Sequence, residues 1–314
     1  MSKADSLTFE FESTVNALDA QTTSEDRLSS ATQFHMPHPI PYQGSKRNLA
    51  PEILAVVSNR KFRRLYEPFA GSAATTIAAA NMKLASEYVI GDALQPLMDI
   101  WNQILCSPHT LANDYERLWC EQLDNDENYY YKVRDDFNRF RQPAPLLYLL
   151  TRCVKNAPRF NQNGDFNQSY DKRRLGMHPN KMRIEILGAS LLLAKSTKAL
   201  WAEFEATLVE ATADDLVYLD PPYEGTTSGA HKRYFKGVDR NRLITALYDL
   251  NRRGVPYLLS YDGRCGDRTY GPALPEDLHL RRLELVAGRS SQSTLSGRSE
   301  ITVESLYVSE ALTR

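Results

Sequence analysis

The stretch Leu216-Val217-Tyr218-Leu219-Asp220-Pro221-Pro222-Tyr223 constrains this chain more than any other. An apolar, strand-forming run ends in an acid, two prolines and an aromatic. Such a run suits a strand of a sheet covered on both faces. Neither proline can donate to a sheet ladder, and each fixes its own φ, so the strand stops there. The carboxylate and the aromatic are thereby held on a stiff turn at the strand's carboxyl end. Open α/β sheets bind their ligands at that place.

The chemistry of this turn is specific. An Asp220 oxygen and a proline carbonyl are two acceptors that can grip an NH₂ group, and the Tyr223 face can stack on a flat ring. A nucleobase with an exocyclic amine meets both demands. Its nitrogen is a poor nucleophile because the lone pair is delocalised into the ring. Hydrogen bonds from both protons favour a pyramidal nitrogen whose lone pair faces an electrophile. The plainer reading of the tetrapeptide is a proline-rich turn whose acid caps a helix.

Upstream motifs weigh on that choice. Arg64–Glu67 is a short strand that feeds the small-residue loop Phe69-Ala70-Gly71-Ser72 and then an alanine-rich helix from Ala73 to Asn81. Strand, tight loop and helix form the first unit of a nucleotide-type sheet. Gly71 permits backbone conformations closed to other residues, although close helix–strand packing also favours small residues. Glu87–Gly91 is the next strand, and Asp92 ends it. An acid there suits ribose hydroxyls and equally suits the start of a helix at Leu94–Leu105. Ahead of these lie Tyr42-Gln43-Gly44-Ser45-Lys46 and a helix from Lys46 to Val57 with Pro51 inside it.

Taken as an average, the net charge of −1 argues against a nucleic-acid partner, but the charge is unevenly distributed. Residues 1–33 are acidic and Ser/Thr-rich, and read as a flexible tail. Between Arg152 and Arg183 stand Arg152, Lys155, Arg159, Lys172, Arg173, Arg174, Lys181 and Arg183 against Asp165 and Asp171. A local basic patch binds phosphates whatever the total charge. Helices at Tyr115–Phe140 and Pro145–Val154 lead into a segment, Arg159 to Arg174, that interleaves amides, bases and aromatics around Gly164. Arg, Asn and Gln can pair with base edges, and aromatic wedges can replace lost base stacking. A solvated hairpin is the competing reading.

The rest of the chain returns to the sheet. Lys181–Lys198 is a helix whose stripe Ile184, Leu187, Leu191 and Ala194 is expected in the core, and Trp201–Phe204 is a strand. After the central motif come a mobile loop over Glu224–Gly237, a helix at Asp239–Arg252 and a strand at Pro256–Tyr261. Leu278–Val286 and Ile301–Tyr307 form an antiparallel pair, with the basic Arg289–Arg298 between them reaching for phosphates. No apolar run is long enough to span a membrane, and no secretory signal opens the chain. Cys106, Cys120, Cys153 and Cys265 are widely spaced, form no Cys-x-x-Cys pair, and read as reduced, mostly buried thiols of a cytoplasmic protein. No metal-ligand cluster is expected, and a monomer is the default.

In their order these motifs resemble the Dam-type (D12 class) DNA adenine-N6 methyltransferases, from about Pro39 to Val308. The resemblance implies a Rossmann-like α/β methyltransferase sheet built from residues 34–105 and 197–314, with a mostly helical DNA-recognition insertion at 106–196. It implies S-adenosylmethionine as cofactor. Tyr42, Gly44 and Lys46 would meet its methionine end, Glu67, Phe69 and Gly71 would form its first loop, and Asp92 would take its ribose, with Asp220 bordering it. Asp220, Pro221, Pro222 and Tyr223 would hold a flipped adenine. Arg159, Asn161, Asn163, Lys172, Arg173, Arg174 and Arg289 would meet double-stranded DNA, and a companion restriction endonuclease would act on the same site. Two departures stand out. Ala73 replaces a frequent second glycine, and Asn163 with Gln168-Ser169-Tyr170 points away from a GATC target. Competing readings are an N4-cytosine methyltransferase, an inactive DNA-binding regulator on the same fold, and a methyltransferase of RNA or protein amides.

Overall fold

The computed structural model describes residues 35–42, 44–124, 126–156, 158–222, 238–265, 268–270, 273–289 and 301–313. The expected tail at 1–33, the loop at 224–237 and the basic stretch at 290–298 lie outside the described residues.

Strand β4 (Leu216–Leu219) lies in the middle of the sheet, and all four of its residues are buried. Leu216 and Tyr218 enter one core while Val217 and Leu219 enter a second on the opposite face. A period of two between covered faces is the reason the run is continuously apolar. The sheet order is β3-β2-β1-β4-β5-β8-β7, using β1 (Phe62–Glu67), β2 (Ala85–Asp92), β3 (Thr197–Trp201), β5 (Tyr257–Cys265), β7 (Arg281–Arg289) and β8 (Ile301–Val308). The first five positions are joined in parallel, β8 and β7 are antiparallel, and a short β6 (Arg268–Tyr270) pairs with β5. The order reverses between β1 and β4, so the carboxyl ends of those strands open a crevice where ligands bind.

The first core carries the helices of one face. In α1 (Ala50–Ala55), Pro51 sits in the first turn, where a missing N–H costs nothing. Helix α2 (Ala74–Asn81) is buried from Ala74 to Ala80, and its small side chains let it lie between the sheet and other helices. Helix α3 (Gln95–Cys106) follows β2. The single helix expected over 115–140 is two, α4 (Pro108–Glu121) and α5 (Asp126–Phe140), separated by a turn of 3₁₀ helix at Gln122–Asp124. Helix α6 (Pro143–Arg152) is buried almost throughout, and its neighbours α4 and α5 wrap it.

Helix α7 (Pro179–Leu193) ends before the expected Lys198, because Thr197–Trp201 joins the sheet as β3 beside β2. Its buried side is Met182, Glu185, Ile186, Ala189 and Leu193 rather than the expected stripe. Ile184 and Leu191 are exposed. Glu185 faces inward because it accepts the His38 backbone N–H at 2.6 Å. On the second face, α8 (Phe204–Leu208) and α9 (Arg240–Arg252) cover the sheet, the latter capped by Asp239 through the N–H groups of Asn241 and Arg242.

Gly91, near the carboxyl end of β2, decides how closely α8 can approach. A methyl group added there would lie 2.5 Å from Thr207 Oγ1 and 3.1 Å from its Cγ2. Gly91→Ala should therefore lower stability by about 1–3 kcal/mol. Adding Thr207→Ala should restore most of that loss, as measured by a urea-unfolding double-mutant cycle. Simple additivity of the two changes would rule out a clash with Thr207 as the cause.

Candidate active site

One cleft gathers the sequence motifs. It is lined by Tyr42, Gly44 and Lys46 ahead of α1, Glu67 at the end of β1 and Phe69–Ser72 beyond it, Asp92 at the end of β2, and Asp220-Pro221-Pro222 after β4. Tyr223 lies outside the described residues. The structure thus brings together the described members of the predicted cofactor and catalytic sets.

The loop after β1 is held by backbone geometry. Gly71 has a left-handed φ of +49°, and a Cβ there would touch the Tyr42 ring at 3.5 Å. The Ala70 N–H donates to the Gly91 carbonyl at 2.8 Å, and Trp101 Nε1 donates to the Gly71 carbonyl at 3.1 Å. Ala73 is also left-handed, with φ +47°. An alanine therefore keeps a conformation that glycine adopts without strain, at a backbone cost of about 1–2 kcal/mol. The sequence departure leaves a glycine-like loop shape.

Asp92 anchors both the loop after β1 and the entry to the next helix. Its Oδ2 accepts the Gly71 N–H at 3.2 Å and its Oδ1 accepts the Leu94 N–H at 2.9 Å, just ahead of α3. Each carboxylate oxygen retains acceptor capacity beyond one such bond.

The acid–base groups are unusual. Glu67 is 3% exposed, and its Oε2 accepts both the N–H and the hydroxyl of Thr76. Burial lifts its pKa to about 8, the Thr76 bonds working against the rise and the Asp220 charge adding to it. Glu67 is thus mostly neutral at pH 7. Lys46, 7% exposed, sets its ammonium 3.1 Å from Asp220 Oδ1 and 3.1 Å from Glu304 Oε2. Burial raises the Asp220 pKa to about 6, with Lys46 opposing and Glu304 reinforcing the rise. Asp220 is therefore mainly an acceptor-only carboxylate at neutral pH.

Sequence reasoning misses part of the cleft. Phe204 faces Phe69 with ring centroids 5.1 Å apart, and the Arg242 guanidinium lies over Phe204 at 5.5 Å. Glu203 and Glu205 fix Arg242 at 3.0 and 2.6 Å. A charged pair flanking an aromatic just past a strand is the available signal, hidden because the sequence places that strand over 201–204. Glu304 gives a weaker one, a lone acid inside an apolar strand.

The predicted DNA-facing residues fall outside this cleft. Phe160 and Phe166 form an antiparallel bridge, and Cys153 and Tyr170 a second one, so Arg159 to Arg174 folds back on itself. Asn161 closes the turn: its Oδ1 accepts the N–H groups of Asn163 and Asp165, both at 2.9 Å. That commits one amide oxygen to the fold. Asn163 is exposed, and Arg159 is half-buried. Arg173 pairs bidentately with Asp171 at 2.9 Å, and Arg174 reaches Asp171 at 3.4 Å and the Cys153 carbonyl at 3.0 Å. The hydrogen bonds and charge of Arg173 hold the Asp171 carboxyl down at about 2. Lys172 is exposed, its ammonium 5.8 Å from the Tyr170 ring centroid. Arg289 ends β7, and its side chain lies outside the described residues.

A profile of the D12 class N6 adenine-specific DNA methyltransferases matches residues 42–287. This chain belongs to that family. It shares 30% identity over 203 residues with the retron Ec67 DNA adenine methylase of Escherichia coli, covering 63% of this chain and 68% of that protein. It is 27% identical over 275 residues to the type II methyltransferase M1.LlaDCHI of Lactococcus lactis subsp. cremoris, covering 83% of this chain and 91% of the relative. A DNA N-6-adenine-methyltransferase of Escherichia phage P1 is 26% identical over 257 residues, 78% of this chain but 32% of the phage protein. As a D12 member the chain is an adenine-specific DNA methyltransferase with the sheet that the sequence implied. Among the described residues no helix is long and apolar enough to cross a membrane.

The state of Glu67 has a measurable consequence. Its folded pKa lies above that of the unfolded chain, so the native protein keeps a proton that the unfolded chain has lost. This contribution to stability is full below the unfolded value, near 4.5, and declines as pH rises towards 8. Glu67→Gln should flatten that decline, so its Tm gains on the wild type between pH 5 and pH 8. Parallel Tm–pH curves for the two proteins would contradict the assignment.

Proposed function

We propose that this D12 enzyme transfers a methyl group from S-adenosylmethionine to N6 of an adenine turned out of duplex DNA. The observation that carries the reading is Asp220, an acceptor carboxylate fixed by two prolines at the end of β4 and shared with the Lys46 ammonium.

The cleft's donor set fits the cofactor. Carboxylates of Asp92, Asp220 and Glu203 line it and favour a cationic ligand. Phe69 and Phe204 offer apolar ring faces, Asp92 retains acceptor sites suited to ribose hydroxyls, and Gly71 exposes main chain. Tyr42, Gly44 and Lys46 would hold the methionine end. Bound there, S-adenosylmethionine supplies an electrophilic sulfonium methyl.

The protein's own residues then do three things. Asp220 and the Pro221 carbonyl accept the N6 protons, which holds the amine and concentrates its lone pair. The rigidity of Pro221-Pro222 orients it, and positioning contributes much of the rate. Asp220 takes the proton released by the nitrogen and passes it to water. Tyr223, assigned from the motif, stacks on the extruded ring. Residues 106–196 act as the target-recognition part, with 34–105 and 197–314 as the catalytic part. Arg159, Asn163, Lys172, Arg173, Arg174 and Arg289 meet the duplex, and Asn161 shapes the turn that presents them. The protein works as a cytoplasmic monomer. The type II methyltransferases among its relatives support a companion restriction endonuclease with the same site.

Methyl-aware sequencing of DNA from cells expressing the chain should reveal N6-methyladenine in one sequence context, and Asp220→Ala should abolish it while the protein stays folded. N4-methylcytosine instead, or unaltered methylation in the variant, would overturn this reading. Neutralising Lys172, Arg173 and Arg174 together should weaken DNA binding and reduce the slope of log K against log salt by about 0.9 for each phosphate no longer neutralised. An unchanged slope would remove the patch from the interface.

A further inference from the structure

We propose that Glu304 is a positioning residue for methyl transfer: it holds the Lys46 ammonium away from full engagement with Asp220, so that Asp220 stays basic and keeps an oxygen for the base's amine. This rests on the reading of Asp220 as the N6 acceptor.

Glu304 comes from β8, 84 residues beyond Asp220 in the chain, and nothing in the catalytic motif requires it. The residues that follow it, Ser305 to Val308, are buried, so an acid at this point of the strand needs a partner. Its partner is Lys46 Nζ at 3.1 Å, as close to Glu304 as to Asp220. The local backbone favours this approach. Gly263 of β5 stands opposite Glu304, beside a bulge, and a Cβ on it would come within 2.8 Å of the Val303 carbonyl and 3.5 Å of the Glu304 Cα. Glycine thus lets β8 run close to β5 where the carboxylate is needed.

One carboxylate would neutralise Lys46, yet two are present. With Asp220 alone, the ammonium would pair with it fully and quench its basicity. With Glu304 on the other side, the ammonium's charge is divided. Lys46 meets Asp220 through Oδ1. The groups bearing on Asp220 are Lys46 from the segment before α1, Glu67 from β1, Tyr218 from its own strand and Glu304 from β8. Glu67 is mostly neutral at pH 7 and Tyr218 stays protonated, with its pKa raised by burial. Glu304 is therefore the acid set against the pair from another strand.

The test is the pH dependence of methyl transfer to duplex DNA by the full chain. In the wild type, kcat/KM should fall as pH drops through about 6. In Glu304→Gln the midpoint should move down by about half a unit to one unit, with kcat at pH 7.5 reduced and KM for DNA unchanged. Glu304→Asp, which keeps the charge, should leave the midpoint near the wild-type value. A Glu304→Gln variant with a lower Tm and an unmoved midpoint would assign the residue a purely structural role and overturn the proposal. If Glu304→Gln does not fold, the Asp220 ¹³Cγ resonance of the unaltered protein, assigned with Asp220→Asn, gives the answer. It should titrate with its midpoint near 6, and a midpoint at the ordinary aspartate value would overturn the proposal. Methyl transfer by Asp220→Ala would sink the underlying reading, whereas a silent Asp220→Ala with an unmoved Glu304→Gln midpoint would sink only the role of Glu304.

Discussion

A nearly buried ammonium between two carboxylates ties this cleft together. Lys46 belongs to the segment entering the first helix, Asp220 to the end of the central strand, and Glu304 to an antiparallel strand near the end of the chain. An unpaired charge at that depth would cost several kcal/mol, so the three segments converge on it or the site fails to close. The position of β8 beside β5, and the turn that brings Tyr42 towards Gly71, answer to the same constraint. Removing either acid alone would leave the ammonium partly uncompensated, which is why packing and chemistry are hard to separate here.

Around this pair the cleft sorts its acids by environment. Glu67 is enclosed, so it keeps its proton near neutrality despite the hydrogen bonds from Thr76. Asp220 is held lower by Lys46 and keeps its charge. Asp92 is anchored by backbone N–H groups of the loop and of the entry to the next helix. Three carboxyl groups at the ends of three parallel strands thus take three states: a protonated acid, a charged acceptor paired with Lys46, and a loop anchor with acceptor sites to spare. The opposite wall is aromatic, with Phe69 and Phe204 braced by Arg242.

The basic hairpin follows a different logic. Asn161 spends an amide oxygen on its own turn, and Asp171 gathers Arg173 and Arg174. The arginines keep exposed surface while Asp171 fixes their geometry. Composition reveals the charge of this segment but not how its groups restrain one another.

The sequence alone determined the centre of the sheet and most of the cleft's floor. Leu216–Leu219 is the central strand, and Asp220-Pro221-Pro222, the Phe69–Ser72 loop and Asp92 each sit at the end of a strand, which places its side chains from local order alone. Tertiary structure decided what came from afar. Helix α7 carries apolar residues on more than one side, so periodicity could not choose between Ile184 and Leu191, which face solvent, and Ile186 and Leu193, which do not. The helix expected over 115–140 breaks where its two halves must both pack on α6. Glu304 and Phe204 reach the site only through the sheet order and the packing of α8 and α9 on its second face. Neighbouring residues fix a turn, but the match of a distant acid to a buried ammonium depends on strand pairing, and pairing is a property of the whole sheet.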